Sequence, residues 1–144
     1  MTTFRPATAA DLKPVLDLLR GHALDLSGVR ESLGDFLVAE EQGMVVGSIG
    51  LEVHAPYALL RSAAILPDRK GGGLGSALVE RIFAHARGRG VQGLYLFTTE
   101  AARFFERHGF VRIDRQEMPA LLKATAQFTH ACGATAVAMM RPLS

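Results

Sequence analysis

The sequence has a single cysteine, Cys132, among its 144 residues. One cysteine excludes an internal disulfide and a cysteine-rich metal site. Long apolar runs are also missing, since none reaches the roughly 18 residues that a membrane span requires. The first residues, Met1 to Pro6, lack the hydrophobic core of a signal peptide. These absences predict a cytoplasmic protein without a membrane partner.

Charge of one sign is not in large excess either. Sixteen basic and fourteen acidic residues give a formal net charge of +2, and the cations are spread along the chain. This pattern gives weak support for an anionic ligand and predicts no nucleic-acid partner. With 144 residues, 49% of them hydrophobic, the chain suits one compact domain over residues 1–144 with a real core.

Strand-like and helix-like segments alternate along the first half of the chain. "TTFRPAT" predicts a short strand, and the residues after it predict a helix capped by Thr8 or Asp11. The apolar face of that helix comprises Leu12, Val15, Leu16 and Leu19. Two β-rich runs joined at 40–43 predict a hairpin, and "ALLRSAAIL", which stops at Pro67, adds the third strand of an antiparallel meander.

The second half continues the alternation. A helix is predicted from about Leu74 to Arg87, followed by the inner strand "QGLYLFT" and by a short helix "EAARFFERH" that Thr98 or Thr99 caps. A strand over 110–113, a helix-like segment "MPALLKATAQF" and a last strand "TAVAMM" complete the chain. The order β-α-β-β-β-α-β-α-β-(α)-β predicts a mixed α/β (α+β) fold.

Three consecutive glycines, Gly71–Gly73, stand behind two cations and in front of the helix at Leu74. A nucleotide P-loop needs a lysine after its last glycine, which is missing here. A dinucleotide fingerprint opens a βαβ unit instead of following a meander, which argues against NAD. What remains is a break at Pro67, a glycine loop and a helix start, where several backbone N–H groups converge on an anion. The positive potential of these N–H groups suits a pyrophosphate.

These residues resemble motif A of the GCN5-related N-acetyltransferase (GNAT) superfamily, which reads [QR]-x-x-G-x-[GA] after the fourth strand and stands here as Lys70–Gly75. "EAARFFERHGF" is similar to motif B of that superfamily. "LLRSAAILPDRKGGGLG" and "VRIDRQEMPALLKATAQF" resemble the arsenic-resistance N-acetyltransferases and the short bacterial N-acetylglutamate synthase-like proteins. The resemblance implies the GNAT fold, a mostly antiparallel sheet of about six to seven strands with flanking helices, in which the strands at 61–66 and 94–98 splay apart.

The resemblance also implies acetyl-CoA as cosubstrate and no metal. The pyrophosphate would lie on the glycine loop and the pantetheine along exposed backbone near Ala63 and Ile65. Lys70 stands where arginine or glutamine is usual, which keeps the charge and loses the bidentate geometry. The cofactor-binding residues implied in this way are Ala63, Ile65, Lys70, Gly71, Gly72, Gly73, Leu74, Gly75, Ser76, Thr98, Phe104 and Phe105.

Motif B departs from its relatives at one position. Many of them place a tyrosine within "FYE", where its hydroxyl protonates the leaving thiolate, and this sequence has Phe104, Phe105 and Glu106. The donor is absent, but a CoA thiolate needs little help to leave, so water suffices. Both phenylalanines stay open to two interpretations, contact with pantetheine or packing in the core.

The sequence indicates less clearly which residues bind the acceptor amine and remove its proton. Glu52 is the best remaining carboxylate for the role of catalytic base, and a solvated strand glutamate is the alternative. Arg61, with Ser62 beside it, is assigned to substrate binding. A charge inside "LLRSAA" is costly to bury alone, so it meets either an internal acid or the carboxylate of a substrate.

The histidines and the cysteine carry little signal. His54, His85 and His108 lack ligand-like spacing, which indicates surface or capping roles. His130 and Cys132 follow the helix-like segment, and for Cys132 a buried apolar role stands against a catalytic or arsenic-binding role.

Two function classes therefore stay open. The first is an enzyme that moves acetyl from acetyl-CoA to the primary amine of a small, amino-acid-like substrate by direct attack. The second is a catalytically weak acyl-CoA-binding module with a regulatory or sensing role. The acceptor amine is left open, as is the choice between a monomer and a homodimer.

Overall fold

The computed structural model describes residues 1–125, 128 and 136–143. Its strands are β1 (Thr2–Pro6), β2 (Phe36–Glu41), β3 (Met44–His54), β4 (Tyr57–Ile65), β5 (Gly93–Thr98), β6 (Val111–Ile113) and β7 (Val137–Pro142). They form a seven-stranded sheet in the order β1-β2-β3-β4-β5-β7-β6. Among the described residues, β4 and β5 are the only strands of this sheet that pair in parallel. The predicted mixed, mostly antiparallel sheet is confirmed.

The helices flank this sheet. They are α1 (Leu12–Gly21), α2 (Val29–Ser32), α3 (Leu74–Gly88), α4 (Ala102–Glu106) and α5 (Ala120–Lys123). The element order agrees with the prediction except for α2, a single turn that is too short to show a helical period in the sequence. Across the described ranges, no helix is both long and apolar enough to cross a membrane.

The two long helices cover opposite faces of the sheet. α3 buries Leu78, Val79, Ile82, Phe83 and Ala86, which belong to the cluster that includes the β3 residues Ile49 and Leu51. α1 buries Val15, Leu18 and Leu19 on the other face, in a cluster with Phe36 and Ala64. Of the predicted α1 face, Val15 and Leu19 are fully buried, whereas Leu12 and Leu16 lie partly exposed at its margin.

The β2–β3 hairpin has the predicted turn. Glu41 pairs with Met44, so the loop consists of Gln42 and Gly43. Both have positive φ, 51° and 79°, as a two-residue type I′ turn requires. Its twist matches that of the paired strands, which fixes their register.

Two predicted helices are shorter than expected. α4 begins at Ala102 because the Thr98 hydroxyl accepts a hydrogen bond from the Ala101 N–H at 3.0 Å and holds a turn before the helix. α5 ends at Lys123, although "MPALLKATAQF" indicated a longer helix. The Thr125 hydroxyl donates to the Leu122 carbonyl at 2.6 Å and accepts from the Phe128 N–H at 3.2 Å, which competes with regular helical bonding.

Candidate functional site

A gap opens in the middle of the sheet. β4 and β5 pair only over Tyr57–Leu59 and Gly93–Tyr95, yet they run on to Ile65 and Thr98. This is the predicted splay, although on β5 it begins after Tyr95 and not at Leu94. Ala63 is exposed between buried neighbours in this central strand. The backbone of β4 is thus open to solvent where an inner strand would normally be covered.

The glycine loop lies between the end of β4 and the start of α3. Gly71 and Gly73 have φ of 86° and 84°, and a Cβ at either would meet no atom within 4 Å. The Ala77 N–H donates to the Gly73 carbonyl at 3.0 Å, and the N–H groups of the residues before it precede the first helical hydrogen bond. The loop therefore combines unobstructed space, free backbone donors and the positive end of a 15-residue helix.

The remaining cofactor candidates lie around the start of α3. Lys70 and Ser76 are exposed, and Leu74 is half-buried. A Cβ on Gly75 would lie 3.4 Å from Phe104 Cζ, so α4 packs closely against the first turn of α3. Phe105 is only 5% exposed and belongs to the core, as the core-packing alternative predicts. Phe104 lies next to Gly75 of the glycine loop.

His108 links α4 to the first turns of α3. Its Nε2 lies 3.1 Å from Ser76 Oγ and its Nδ1 lies 3.0 Å from Glu80 Oε2. His85 contacts Asp35, and His54 contacts Glu52. Each of these histidines therefore has a polar protein partner. In the described part of the chain, no group of three or more His, Cys, Asp or Glu side chains is arranged to hold a metal ion. His130 and Cys132 lie outside the described residues.

Arg61 is the buried charge of the acceptor side, and its side chain is 2% exposed. Its Nε donates to Ser62 Oγ at 3.1 Å, its Nη1 to Glu52 Oε1 at 3.4 Å and its Nη2 to the Asp25 carbonyl at 3.1 Å. Of the two alternatives from the sequence, the internal acid is the one seen in this structure. Burial lowers the pKa of Arg61, and the charges of Glu52 and Asp25 act in the opposite direction.

The side chain of Glu52, on β3, lies on the same face of the sheet as that of Arg61 and is 17% exposed. Its Oε1 accepts from Arg61, and its Oε2 lies 2.7 Å from His54 Nε2 at the end of the strand. It is therefore a paired carboxylate and not a freely solvated one. His54, which is 33% exposed, connects it to solvent.

A β-bulge beside Arg61 was not predicted from the sequence. Gly50 pairs with Arg61 and Ser48 with Ala64, so β4 carries one residue more than β3 in this interval. Ser62 has φ of 59°, and its carbonyl accepts a hydrogen bond from Ser48 Oγ at 2.8 Å. In the sequence, Ser48 stands out only as a polar residue inside the apolar run "VVGSIGL". That pattern does not indicate that Ser62 is its partner.

The fold and site together define an α/β protein with a solvent-open gap in its sheet next to an anion-accepting loop. A family model described as "Acetyltransferase (GNAT) domain" matches residues 32–112, which is more than half of the chain. The chain belongs to this family, and the predicted superfamily is confirmed.

Curated relatives include amino-acid acetyltransferases. That of Azotobacter vinelandii is 30% identical over 127 residues, which are 81% of this chain and 29% of that protein. An uncharacterized N-acetyltransferase of Chlorobaculum tepidum is 28% identical over 126 residues, which are 82% of this chain and 81% of that protein. The chain therefore spans less than a third of the amino-acid acetyltransferase but most of the second relative.

Solved structures share the fold. N-acetylglutamate synthase from Neisseria gonorrhoeae, complexed with coenzyme A and N-acetyl-glutamate, superposes with a TM-score of 0.85 at 21% identity, over 100% of this chain and 35% of that chain. Rv2747 from Mycobacterium tuberculosis, in complex with CoA and NLQ, has a TM-score of 0.82 at 26% identity over 99% of both chains. These two structures confirm the predicted GNAT fold.

Proposed function

We propose that this protein transfers the acetyl group of acetyl-CoA to the primary amine of a small, amino-acid-like acceptor by direct attack. The observation that carries the proposal is the gap between β4 and β5, with exposed Ala63 in it and the glycine loop at the end of β4. A thioester fits in such a gap while its phosphates lie on the loop. The family membership and the CoA present in two related structures support this assignment.

The cofactor would be held chiefly by backbone. N–H groups of the loop from Gly71 to Ser76 would donate to the pyrophosphate, because they lie at the positive end of α3 and no side chain at Gly71 or Gly73 blocks the approach. Lys70 would add charge, and the backbone near Ala63 and Ile65 would donate to the pantetheine. The Phe104 ring, next to Gly75, would line the same side.

In the reaction the amine nitrogen attacks the thioester carbonyl carbon, the C–S bond breaks, and the thiolate leaves and takes up a proton from water. α4 has phenylalanines where a tyrosine would donate, so that hydroxyl is not available to protonate the sulfur. The amine must lose a proton, and Glu52 is our candidate base. His54, in contact with Glu52 and partly exposed, would pass that proton to solvent.

The acceptor class rests on Arg61 and Ser62. A guanidinium has five N–H donors, and three have the acceptors described above, so two would be left for a substrate carboxylate that reaches this buried side chain. An α-amino acid would present its amine to the thioester and its carboxylate to Arg61. The names of the amino-acid acetyltransferase relatives agree with this class.

A thiol-release screen with acetyl-CoA tests the proposal. The acceptors are amino acids, their decarboxylated amines, their phosphinic and arsonic analogues, and polyamines. We expect turnover with amino acids and little with amines that lack the carboxylate. Preference for the decarboxylated amines would contradict the proposed acceptor class, and turnover of arsonic analogues would support the arsenic-resistance role. A cytoplasmic location also remains a proposal.

Arg61→Ala separates recognition from structure in the same assay. We expect KM for the amino acid to rise at least tenfold, roughly 1.5–3 kcal/mol for a lost charged hydrogen bond, with acetyl-CoA binding little changed. KM for the matching decarboxylated amine should not rise in this variant. If both KM values stay constant and only the free energy of unfolding falls, Arg61 is solely an internal ion-pair partner.

The alternative is a catalytically weak acyl-CoA-binding module, which the phenylalanines of α4 favour. Acetyl-CoA binding by calorimetry without thiol release for any acceptor would support it. Turnover with even one amine class would exclude it.

A further inference from the structure

The bulge in β4 holds a serine in a conformation that serine rarely adopts. Ser62 has φ of 59°, in the left-handed region that favours glycine. Such residues persist only where their surroundings hold them in place, and they cluster at functional sites. Neighbouring residues must therefore hold the bulge in place, and the bulge changes the direction in which the following residues face.

Two buried side chains hold Ser62 from different directions. Ser48, 1% exposed, donates its hydroxyl to the Ser62 carbonyl at 2.8 Å. Arg61 Nε donates to the Ser62 hydroxyl at 3.1 Å. A bulge leaves its extra residue outside the regular ladder, so the Ser48 hydroxyl gives the Ser62 carbonyl a hydrogen-bond donor that the ladder does not supply. Its loss would leave a buried carbonyl without that bond.

The bulge decides which residues face the gap. Arg61 and Ala64, three residues apart, both lie on the α1 side of the sheet, because the bulge inserts one residue between them. In a regular strand Arg61 and residue 63 would share a face. With the bulge, Ala63 is exposed at the gap while Ser62 and Ala64 are buried.

We propose that Ser48 is a positioning residue for acetyl transfer: its hydroxyl fixes the bulge at Ser62 and thereby sets the direction of the Ala63 backbone that faces the thioester. This inference rests on the proposed function, since it assumes that the thioester lies in the gap. Ser48 itself is buried and, in this proposal, has no direct contact with the cofactor or the acceptor. It acts through the peptide groups of Ser62 and Ala63, while Arg61 holds the Ser62 hydroxyl.

The test compares Ser48→Ala and Ser48→Cys with the wild type. Cysteine has nearly the shape of serine and a weaker donor, so kcat should fall in the order serine, cysteine, alanine. We expect at least a tenfold loss of kcat in the alanine variant, with less than a twofold change in the dissociation constant for acetyl-CoA. Ile49→Val is the matched control, because it loosens the same strand on the opposite, α3 face.

Amide hydrogen exchange gives a readout that is independent of turnover. In Ser48→Ala, the amides of residues 62–64 should exchange at least tenfold faster, and Ile49→Val should leave them unchanged. Unchanged exchange in Ser48→Ala, or faster exchange with an unchanged kcat, overturns the proposal. If the wild type neither binds acetyl-CoA nor releases thiol, the proposed function fails first and the positioning role fails with it, whatever the exchange rates.

Discussion

At the scale of single residues, one ion pair fixes the connection between β1 and α1. Arg5 Nη1 and Nη2 donate to the two oxygens of Asp11 at 2.7 and 2.9 Å, and the Thr8 N–H donates to the same carboxylate at 2.7 Å. Asp11 is 5% exposed, so this is not a weak surface pair. The hydrogen bonds from Arg5, against the opposing effect of burial, lower the pKa of Asp11 to about 2 from 3.8.

The depressed pKa predicts an acid-labile contribution to stability. Above pH of about 4 the carboxylate is ionised in the folded and unfolded states, and the full contribution is present. As the pH falls toward 2 the unfolded chain binds the proton first, so the contribution is lost. Asp11→Asn should therefore cost about 2 kcal/mol in the free energy of unfolding at pH 7 and much less at pH 2, as measured by urea denaturation.

Asp17→Asn is the control for this prediction. Asp17 also contacts two cations, Lys13 and Arg20, but all three side chains are exposed. Its replacement should change stability little at either pH. Equal losses in both variants would show that burial of the Arg5–Asp11 pair does not matter.

At the scale of elements, the glycine loop and the start of α3 would bind acetyl-CoA chiefly through backbone N–H groups. Gly73→Val should abolish acetyl-CoA binding by calorimetry, because the new side chain would occupy the space through which the pyrophosphate approaches the N–H groups. Gly90→Val, at the other end of α3, is the matched control. Both glycines have positive φ, 84° and 75°, and open space at the Cβ position.

Both variants should therefore carry a similar backbone strain, on the order of 1 kcal/mol. Only Gly73→Val should lose binding, and circular dichroism should show both folded. Unchanged affinity in Gly73→Val would rule out the loop as the pyrophosphate site. Loss of acetyl-CoA binding in both variants would indicate a general effect on α3 instead of a local effect at the loop.

The β2–β3 turn offers a second test at this scale. Gln42 has φ of 51°, and asparagine tolerates this region better than glutamine does. Gln42→Asn should raise the free energy of unfolding by roughly 0.5–1 kcal/mol in urea denaturation. Gln92→Asn is the same chemical change at a residue without positive φ and should give no gain. A gain in both variants would contradict the turn explanation.

At the scale of the whole molecule, the proposed function would have cofactor and acceptor meet in one complex in the open gap between β4 and β5. Direct attack then needs no acyl-enzyme, and initial rates should give intersecting lines when both substrates are varied. Cys132, which lies outside the described residues, should be dispensable, so Cys132→Ser should keep most of kcat. Parallel lines, or an acetylated enzyme in intact mass spectra, would overturn direct transfer.

Much of the architecture could be predicted from the sequence because it is encoded locally. The apolar faces of α1 and α3 follow a helical period, the glycine of the hairpin turn lies within its own two-residue loop, and the glycines of 71–73 directly precede the helix that they serve. Local patterns of this kind need no knowledge of distant partners. The start of α4 was predicted too early, because the Thr98 hydroxyl binds the Ala101 N–H in a turn before the helix, and the end of α5 was predicted too late, because the Thr125 hydroxyl competes with helical bonding there.

The sequence by itself determined the family, the order of the elements and the loop at the start of α3, since each depends on residues that are close together in the chain. Only the tertiary structure decided the partners of Arg61 and the bulge at Ser62. Arg61 meets the carbonyl of Asp25 across 36 residues, and Ser48 meets Ser62 across 14. Those contacts depend on the register between β3 and β4, where a shift of one residue would exchange the faces of every side chain that follows.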